Sequence, residues 1–344
     1  MNPKIIKRSC YNTLIPLLCL ISFLGYGCKN KKEQLGSFGL VIDGGAGSSA
    51  DSMTTEFKAE SEIVMKSALK AGYEILNSGG ASLDAVNASI NILEGSPLFN
   101  AGKGAVFTHE GTHELDASIM DGNTLNTGAV AGVKHTKNPI NLARLIMDKT
   151  EHVMMAGEGA ELFGKDHGFE HVEQDYFFTE KQKASLERVL AEQDSQSSIK
   201  TLDEYCIIGT VEAVALDKSG NLAAGTSTGG MTNKKCGRVG DSPIIGAGTY
   251  ASNNSCAVSA TGHGEYFIRL TIARDIAALM EYKDLTAEEA SRVVIHEKLE
   301  ELGGRGGVIV IDREGNIATP FNTDGMRRGY VDSDGNLIVK IAPD

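Results

Sequence analysis

The clearest pattern in the chain lies between Gly209 and Asp241, GTVEAVALDKSGNLAAGTSTGGMTNKKCGRVGD. Val211, Ala213 and Ala215 alternate with Glu212, Val214 and Leu216, which predicts a strand directly after Thr210. Asp217 to Asn221 reads as a turn and Leu222 to Thr226 as the returning strand. Such a hairpin brings Thr210 close to the threonine-rich tip Thr226-Ser227-Thr228.

Elsewhere, Phe38 to Ile42 predicts a short buried strand ending in the glycine-rich turn Asp43 to Gly47, without the Gly-x-Gly-x-x-Gly spacing of a dinucleotide site. Thr54 to Asn77 has helical periodicity and stops at Gly79-Gly80; a second helix runs from Leu83 to Leu93. Helices follow over Ile140 to Asp148, from Met154 to about Gly164, from Thr261 to Met280 and over Ala287 to Leu302. Val308 to Asp312 and Asn316 to Pro320 form a last hairpin. Residues 165–206 are charged, glutamine-rich and serine-rich, and predict a mobile linker with one isolated helix, QKASLERVLAEQ. Strands and helices in this order suit stacked sheets between helical layers.

Composition changes this picture at the N-terminus. Lys4, Lys7 and Arg8 precede an apolar run from Leu14 to Leu24 that is short for a membrane span and contains Pro16. Residues 1–27 therefore read as a signal peptide of the bacterial lipoprotein kind, with Cys28 as the acylated residue and 28–37 as a tether. Gly25 stands where such signals usually carry a leucine-like residue, and plain secretion is the alternative. Either way the expected location is the periplasm or cell envelope. Beyond Cys28, the mature chain has Cys206, Cys236 and Cys256, an odd number without a Cys-x-x-Cys pair, expected as packing residues or free thiols. A net charge of −12 over 344 residues, with no basic cluster past the leader, argues against nucleic acid as a partner.

The motifs VIDGGAG, SPLFNAGKGAVFT, HELDASIMDGNT, GTVEAVALD, GRVGDSPIIGAG, ATGHGE and PFNTDGM, in this order from Gly39 to about Arg327, resemble the plant-type asparaginase and isoaspartyl peptidase branch of the N-terminal nucleophile hydrolases. The resemblance implies an α+β fold, a four-layer αββα sandwich. It implies self-cleavage between Gly209 and Thr210 into an α subunit (38–209) and a β subunit (210–344), with Thr210 as nucleophile and a dimer of cut αβ pairs. The chemistry is self-consistent: a terminal threonine carries its own base, an α-amine of pKa about 7.7–8.0, and its β-methyl restricts χ1. Asn100 and Thr228 match residues beside the nucleophile. Thr261 and Gly262 match an oxyanion hole, Arg238 and Asp241 a clamp for the substrate's free α-carboxylate and α-amine, and Gly264 a main-chain contact to that amine. Main-chain carbonyls of Leu93, Glu94, Ser96, Phe99, Ala101 and Lys103 match a structural sodium site; catalysis needs no cofactor. The expected substrate is small, L-asparagine or a β-aspartyl dipeptide. Glycosylasparaginase is the nearest alternative, although that branch usually has aspartate where Gly209 stands.

Two readings of other classes compete. Gly225-Thr226-Ser227-Thr228-Gly229 is literally Gly-x-Ser-x-Gly, but loop residues follow where a serine-hydrolase elbow needs a helix. A lipid-anchored binding protein that keeps the fold without turnover is the other. His109 and His113 lack the His-Glu-x-x-His spacing and read as strand and loop residues; His263 and Glu265 lack the Pro-Cys-x-x-Cys of a zinc deaminase. One residue departs from the family pattern. Glu212 stands where glycine is usual, on the strand face of Thr210, and as a carboxylate it would raise the pKa of the Thr210 amine and move activity to higher pH.

Overall fold

Most strands of this protein are apolar on both faces, as required of sheets covered on both sides. In the computed structural model, which describes residues 35–47, 53–194 and 209–341, twelve such strands form two sheets. The leader, Cys28 and Cys206 lie outside the described residues.

The larger sheet contains β1 (Gly39–Ala46), β2 (Leu115–Asp121), β3 (Thr127–Val133), β4 (Met154–Ala156), β5 (Val211–Leu216), β6 (Leu222–Thr228), β11 (Met326–Val331) and β12 (Leu337–Lys340). Its order is β12-β11-β1-β5-β6-β2-β3-β4, antiparallel except for the β3–β4 pair. The smaller sheet orders β10 (Ile317–Ala318), β9 (Gly306–Asp312), β8 (Cys256–Gly262) and β7 (Thr249–Ala251).

Three apolar layers hold the stack together. Leu40, Ile42, Ala213, Ala215 and Ile119 pack beneath α1 (Thr55–Asn77), α2 (Ser82–Glu94) and α3 (Pro139–Lys149). Val41, Val214, Leu216, Leu222 and Ala224 meet Ala257, Ile309 and Ile311 between the sheets. Val258, Ala260, Val308 and Val310 pack on α7 (Ile272–Lys283) and α8 (Ala287–Arg292). The result is the αββα sandwich expected from the sequence.

The hairpin β5–β6 and helices α1 and α2 coincide with the sequence reading. Thr54 caps α1 by accepting from Phe57 N at 3.1 Å. Other boundaries differ. Met154 opens a short strand, and the helix α4 begins only at Gly157 and ends at Asp166. The segment expected as linker carries defined structure as far as Asp194. A 3-10 turn (Gln174–Phe177) buries Phe177, and α5 (Glu180–Asp194) packs through Leu186 and Val189. Gln182 Nε2 also donates to the Gly104 carbonyl at 3.0 Å. Few apolar residues suffice here because Phe177, Leu186 and Val189 are placed inward. The helix after Thr261 is interrupted at Thr271, whose left-handed φ of 48° separates α6 (Gly264–Leu270) from α7. A π-helical turn, Val293–Leu299, follows α8.

The helical layer approaches the large sheet most tightly at Gly128 of β3, where an added Cβ would collide with the Ala143 carbonyl of α3. That obstacle is backbone and cannot rotate away. Gly128→Ala is expected to destabilise the fold by about 1–3 kcal/mol, the usual cost of overpacking, read as a lower urea midpoint.

Candidate active site

Strand register determines what meets at the end of β5. Val211 pairs with Ser227, so Thr210, one residue earlier, lies beside Thr228, one residue later. Odd-numbered residues of β5 pack under the helices. Even-numbered ones face the second sheet, and this places Thr210, Glu212, Thr226 and Thr228 in the inter-sheet space. Thr210 Oγ1 donates to Thr228 Oγ1 at 3.3 Å, and Thr228 Oγ1 accepts from Gly230 N at 3.0 Å. Thr210 is 7% exposed and its hydroxyl opens into a small pocket. Gly209, Thr228, Gly230, Arg238, Asp241 and Gly262 share its lining.

The sheets are tied together beside this pocket by hydroxyls. Ser118 Oγ donates to the Ser242 carbonyl at 2.6 Å and to Thr249 Oγ1 at 2.7 Å. Thr226 Oγ1 bonds Thr249 Oγ1 and, at 2.6 Å, Ser259 Oγ. A polar layer of this kind is stable in a dry interior only because its members satisfy one another.

Arg238 and Asp241 both border the pocket, but they do not form one ion pair. Nε and Nη2 of Arg238 fork onto Glu265, each at 2.9 Å. Nη1 stays outside that fork, toward Gly230 and Gly240. Burial works to raise the Glu265 carboxyl, and the Arg238 fork overrides it and holds Glu265 below its ordinary pKa. Burial pushes the Asp241 carboxyl up to about 7 against the pull of Arg238, and its Oδ2 is buried without a partner. A substrate ammonium would satisfy that oxygen. Gly264 permits this crowding, since a Cβ there would lie 2.7 Å from Arg238 Nη2 and 3.0 Å from Asp241 Oδ1.

Thr261, the penultimate residue of β8, has its Oγ1 buried and unpartnered, next to Gly262 in the pocket wall. Asn100 lies against Gly209. Its side chain, however, donates to the Gly230 carbonyl at 2.7 Å and accepts from Val106 N at 3.0 Å. Beside the nucleophile as expected, it braces the loop behind Thr228.

Ser227 points the other way. It is fully buried under the helices, and its Oγ donates to Glu94 Oε1 at 2.6 Å. No histidine takes part in that contact, and β6 runs into a loop after it, so the serine-hydrolase reading fails on geometry. Burial raises the Glu94 carboxyl to about 7 even though it accepts from Ser227, Asn138 and Ile140 N.

The loop from Leu93 to Lys103 curls so tightly that a Cβ on Gly102 would strike the Glu94 carbonyl oxygen, and one on Gly104 the Phe99 carbonyl oxygen. Gly102 itself has a φ of +50°. The Glu94 and Phe99 carbonyl oxygens thus crowd the inside of the loop, while the Leu93, Phe99 and Ala101 carbonyls accept from Ser96 N, Ala101 N and Gly104 N. His109 and His113 bond Asn233 at 2.7 Å and the Val106 carbonyl at 3.2 Å, as ordinary structural histidines. Among the described residues, His135, His171 and Glu173 bring ligand atoms within 4.8 Å of one another. The two rings stack at 4.4 Å and 16°, which aims their lone pairs side by side instead of at a common point. Cys236 is an exposed free thiol, while Cys256 is buried and its thiol is pushed up to about 12 by burial.

Two buried groups near the pocket, Asp43 and Arg327, escaped the sequence reading. Asp43, within β1, forms the last β1–β5 pair with Glu212. Arg327 donates to the Gly44 carbonyl and to the Leu98 carbonyl at 3.3 Å, closing the floor under Asp43. Burial lowers the Arg327 guanidinium to about 10 although Asp43 opposes this. Glu212 is fully buried, and burial, then Asp43, then Asp241 push its carboxyl well above the ordinary glutamate range. While Glu212 stays protonated it carries no charge with which to raise the pKa of a nearby amine, so the effect expected from the sequence depends on its ionisation.

Similarity to known proteins agrees with this geometry. The profile of the family described as Asparaginase matches residues 36–341. An isoaspartyl peptidase of Salmonella typhimurium is 51% identical over 299 residues, 85% of this chain and 94% of the relative. The isoaspartyl peptidase of Escherichia coli is 51% identical over 302 residues, covering 86% and 93%. An isoaspartyl peptidase/L-asparaginase of Mus musculus is 42% identical over 287 residues, covering 83% and 86%. With a profile match spanning both sheets and every helical layer around Thr210, the chain belongs to the asparaginase family.

Proposed function

We propose that this protein is a self-processing amidohydrolase that cleaves the side-chain amide of L-asparagine or the β-linked bond of isoaspartyl dipeptides. One observation carries the reading: the Thr210 hydroxyl, at the start of a central strand, opens into the pocket that Arg238 and Asp241 border. Relatives described as isoaspartyl peptidases support the substrate class.

In the intact chain Gly209 occupies part of the pocket wall, and the Thr210 nitrogen is an amide without basicity. Attack of Thr210 Oγ1 on the Gly209 carbonyl gives an ester; water hydrolyses it, and Thr210 gains a free α-amine. That amine then takes the hydroxyl proton as Oγ1 attacks the substrate carbonyl. Thr261 Oγ1 and the Gly262 N–H stabilise the oxyanion. Collapse expels ammonia or the dipeptide's amine, which leaves with a proton. Water, deprotonated by the same amine, then splits the acyl-Thr210 ester and releases aspartate. Throughout, Arg238 Nη1 holds the substrate α-carboxylate and Asp241 its ammonium. Glu265 takes no part in the reaction and keeps the guanidinium plane aimed. Thr228 fixes the orientation of the Thr210 hydroxyl.

The leader and Cys28 place the protein, in the same proposal, in the cell envelope on a lipid anchor; Cys28→Ser should release it from the membrane fraction. A sodium ion in the 93–103 loop and a dimer of cut molecules complete it. Thermal unfolding in sodium chloride against tetramethylammonium chloride, together with light scattering, tests these two points.

On a denaturing gel the purified protein should give two fragments, the second beginning with Thr210. Thr210→Ala should remain one chain without turnover, and an intact but fully active protein would overturn the reading. Arg238→Lys keeps the charge but loses the fork to Glu265. It should raise KM about 10- to 100-fold, the worth of a charged hydrogen bond, with a smaller effect on kcat.

A further inference from the structure

Two acids face each other beneath the nucleophile. Asp43 of β1 and Glu212 of β5 are direct cross-strand partners, and direct partners carry their Cβ atoms about 4.5–5.5 Å apart on one face of the sheet. Both are fully buried. Asp43 Oδ2 accepts from Gly45 N at 2.6 Å, but Asp43 Oδ1 and both oxygens of Glu212 have no partner. An unpartnered buried carboxylate is costly, and two facing each other would be more so. A third carboxyl, Asp241, also acts on Glu212, yet the three do not converge closely enough to hold a metal ion between them. A proton is the one cation that such a pair can accommodate between two oxygens.

We propose that Asp43 and Glu212 share a single proton across the β1–β5 ladder and act together as a positioning pair for Thr210, so that loss of this proton disturbs the start of β5 and switches activity off. Burial is the largest influence on Asp43 and pushes its carboxyl up to about 7, but the Gly45 N–H and the charges of Arg327 and Arg328 on β11 oppose it, so Asp43 is the member of the pair that ionises first. Glu212 is the protonated member. On its other flank, across β6, stands Thr226, already bonded to Thr249 and Ser259 of the second sheet and without charge to offer. From the loop after β6 only Asp241 acts on Glu212, and its sign is unfavourable to ionisation. The α-amine of a freed Thr210 is the remaining titratable neighbour. Ionising Glu212 thus places two like charges face to face at the end of β5 from which Thr210 projects. Repulsion there loosens the ladder that sets the position of Oγ1.

The sign of the linkage follows. A carboxyl whose folded pKa is raised stabilises the fold below its ordinary pKa, and that contribution is lost as pH rises through the folded value. The stability of the protein should therefore fall as pH rises from the ordinary glutamate pKa to the raised folded value, and kcat should fall as pH passes through that folded value, giving a bell with the Thr210 amine on its rising limb.

The activity arm rests on Thr210 being the nucleophile. The test is made on mature, cut protein as wild type, Glu212→Gln and Asp43→Asn. Wild type should lose kcat about tenfold per pH unit on the falling limb, as for a single ionisation. Glu212→Gln, which cannot ionise, should lose that limb while the rising limb stays. In the infrared, wild type at neutral pH should show a protonated carboxyl stretch that is missing in Glu212→Gln; in Asp43→Asn it should disappear at lower pH than in wild type. Superimposable pH–kcat profiles of wild type and Glu212→Gln would overturn the positioning role, and absence of the Glu212 band would overturn the shared proton. Should Glu212→Gln fail to fold, Asp43→Asn decides through the same readouts. The infrared band and the pH dependence of the urea midpoint do not involve turnover, so they report on the pair even if Thr210 proves not to be the nucleophile.

Discussion

The antiparallel register between β5 and β6 is the constraint on which the site depends. It sets Val211 against Ser227 and thereby brings two threonines, eighteen positions apart, to hydrogen-bonding distance. A slip of one residue would turn Thr210 and Thr228 toward the helices and bring Val211 and Ser227 to the pocket side. Two features resist such a slip. The Asp217–Asn221 turn, with Gly220 at φ +77° and the Asp217 carboxylate accepting from Ser219 N and Asn221 N, fixes the loop length. Both faces of the hairpin are committed to apolar partners of different shape.

Next to that register lies the boundary between the apolar and polar parts of the inter-sheet space. Toward the hairpin turn, Val214, Leu216 and Leu222 meet Ile309 and Ile311. Toward Thr210, hydroxyls and carboxyls replace them, and the sheets are joined by Ser118, Thr226, Thr249 and Ser259. The same strands thus supply the adhesion at one end and the chemistry at the other. The low dielectric that strengthens the hydroxyl network also raises the carboxyls of Asp43, Glu212 and Asp241.

Much of this was legible in the sequence where the signal is local. The β5–β6 hairpin follows from alternation and a turn, α1 from periodicity and the Gly79-Gly80 stop, and the layered fold from the order of elements. The residues gathered at the pocket were legible only through resemblance, because Thr210, Arg238 and Gly262 come from separate elements. Contacts between distant segments left no trace. The partner of Glu212 is Asp43, on a strand from the other end of the chain, so the sequence showed Glu212 only as a lone carboxylate on the face of Thr210. Glu265 entered only beside His263, as an incomplete zinc-deaminase pattern, although it holds Arg238. The 165–194 segment misled for the opposite reason: its polar composition is genuine, and order there comes from a few inward residues such as Phe177 and Val189.

The order of the large sheet has a mechanical consequence. Strands from before residue 194 and after residue 209 are interleaved, β12-β11 then β1, β5-β6 then β2-β3-β4. A backbone nick anywhere between those positions would leave three inter-segment ladders intact, β11–β1, β1–β5 and β6–β2, so the pieces would stay interlocked like fingers of two hands. Neither piece could form a continuous sheet alone, and once melted apart each would have to find the other by diffusion.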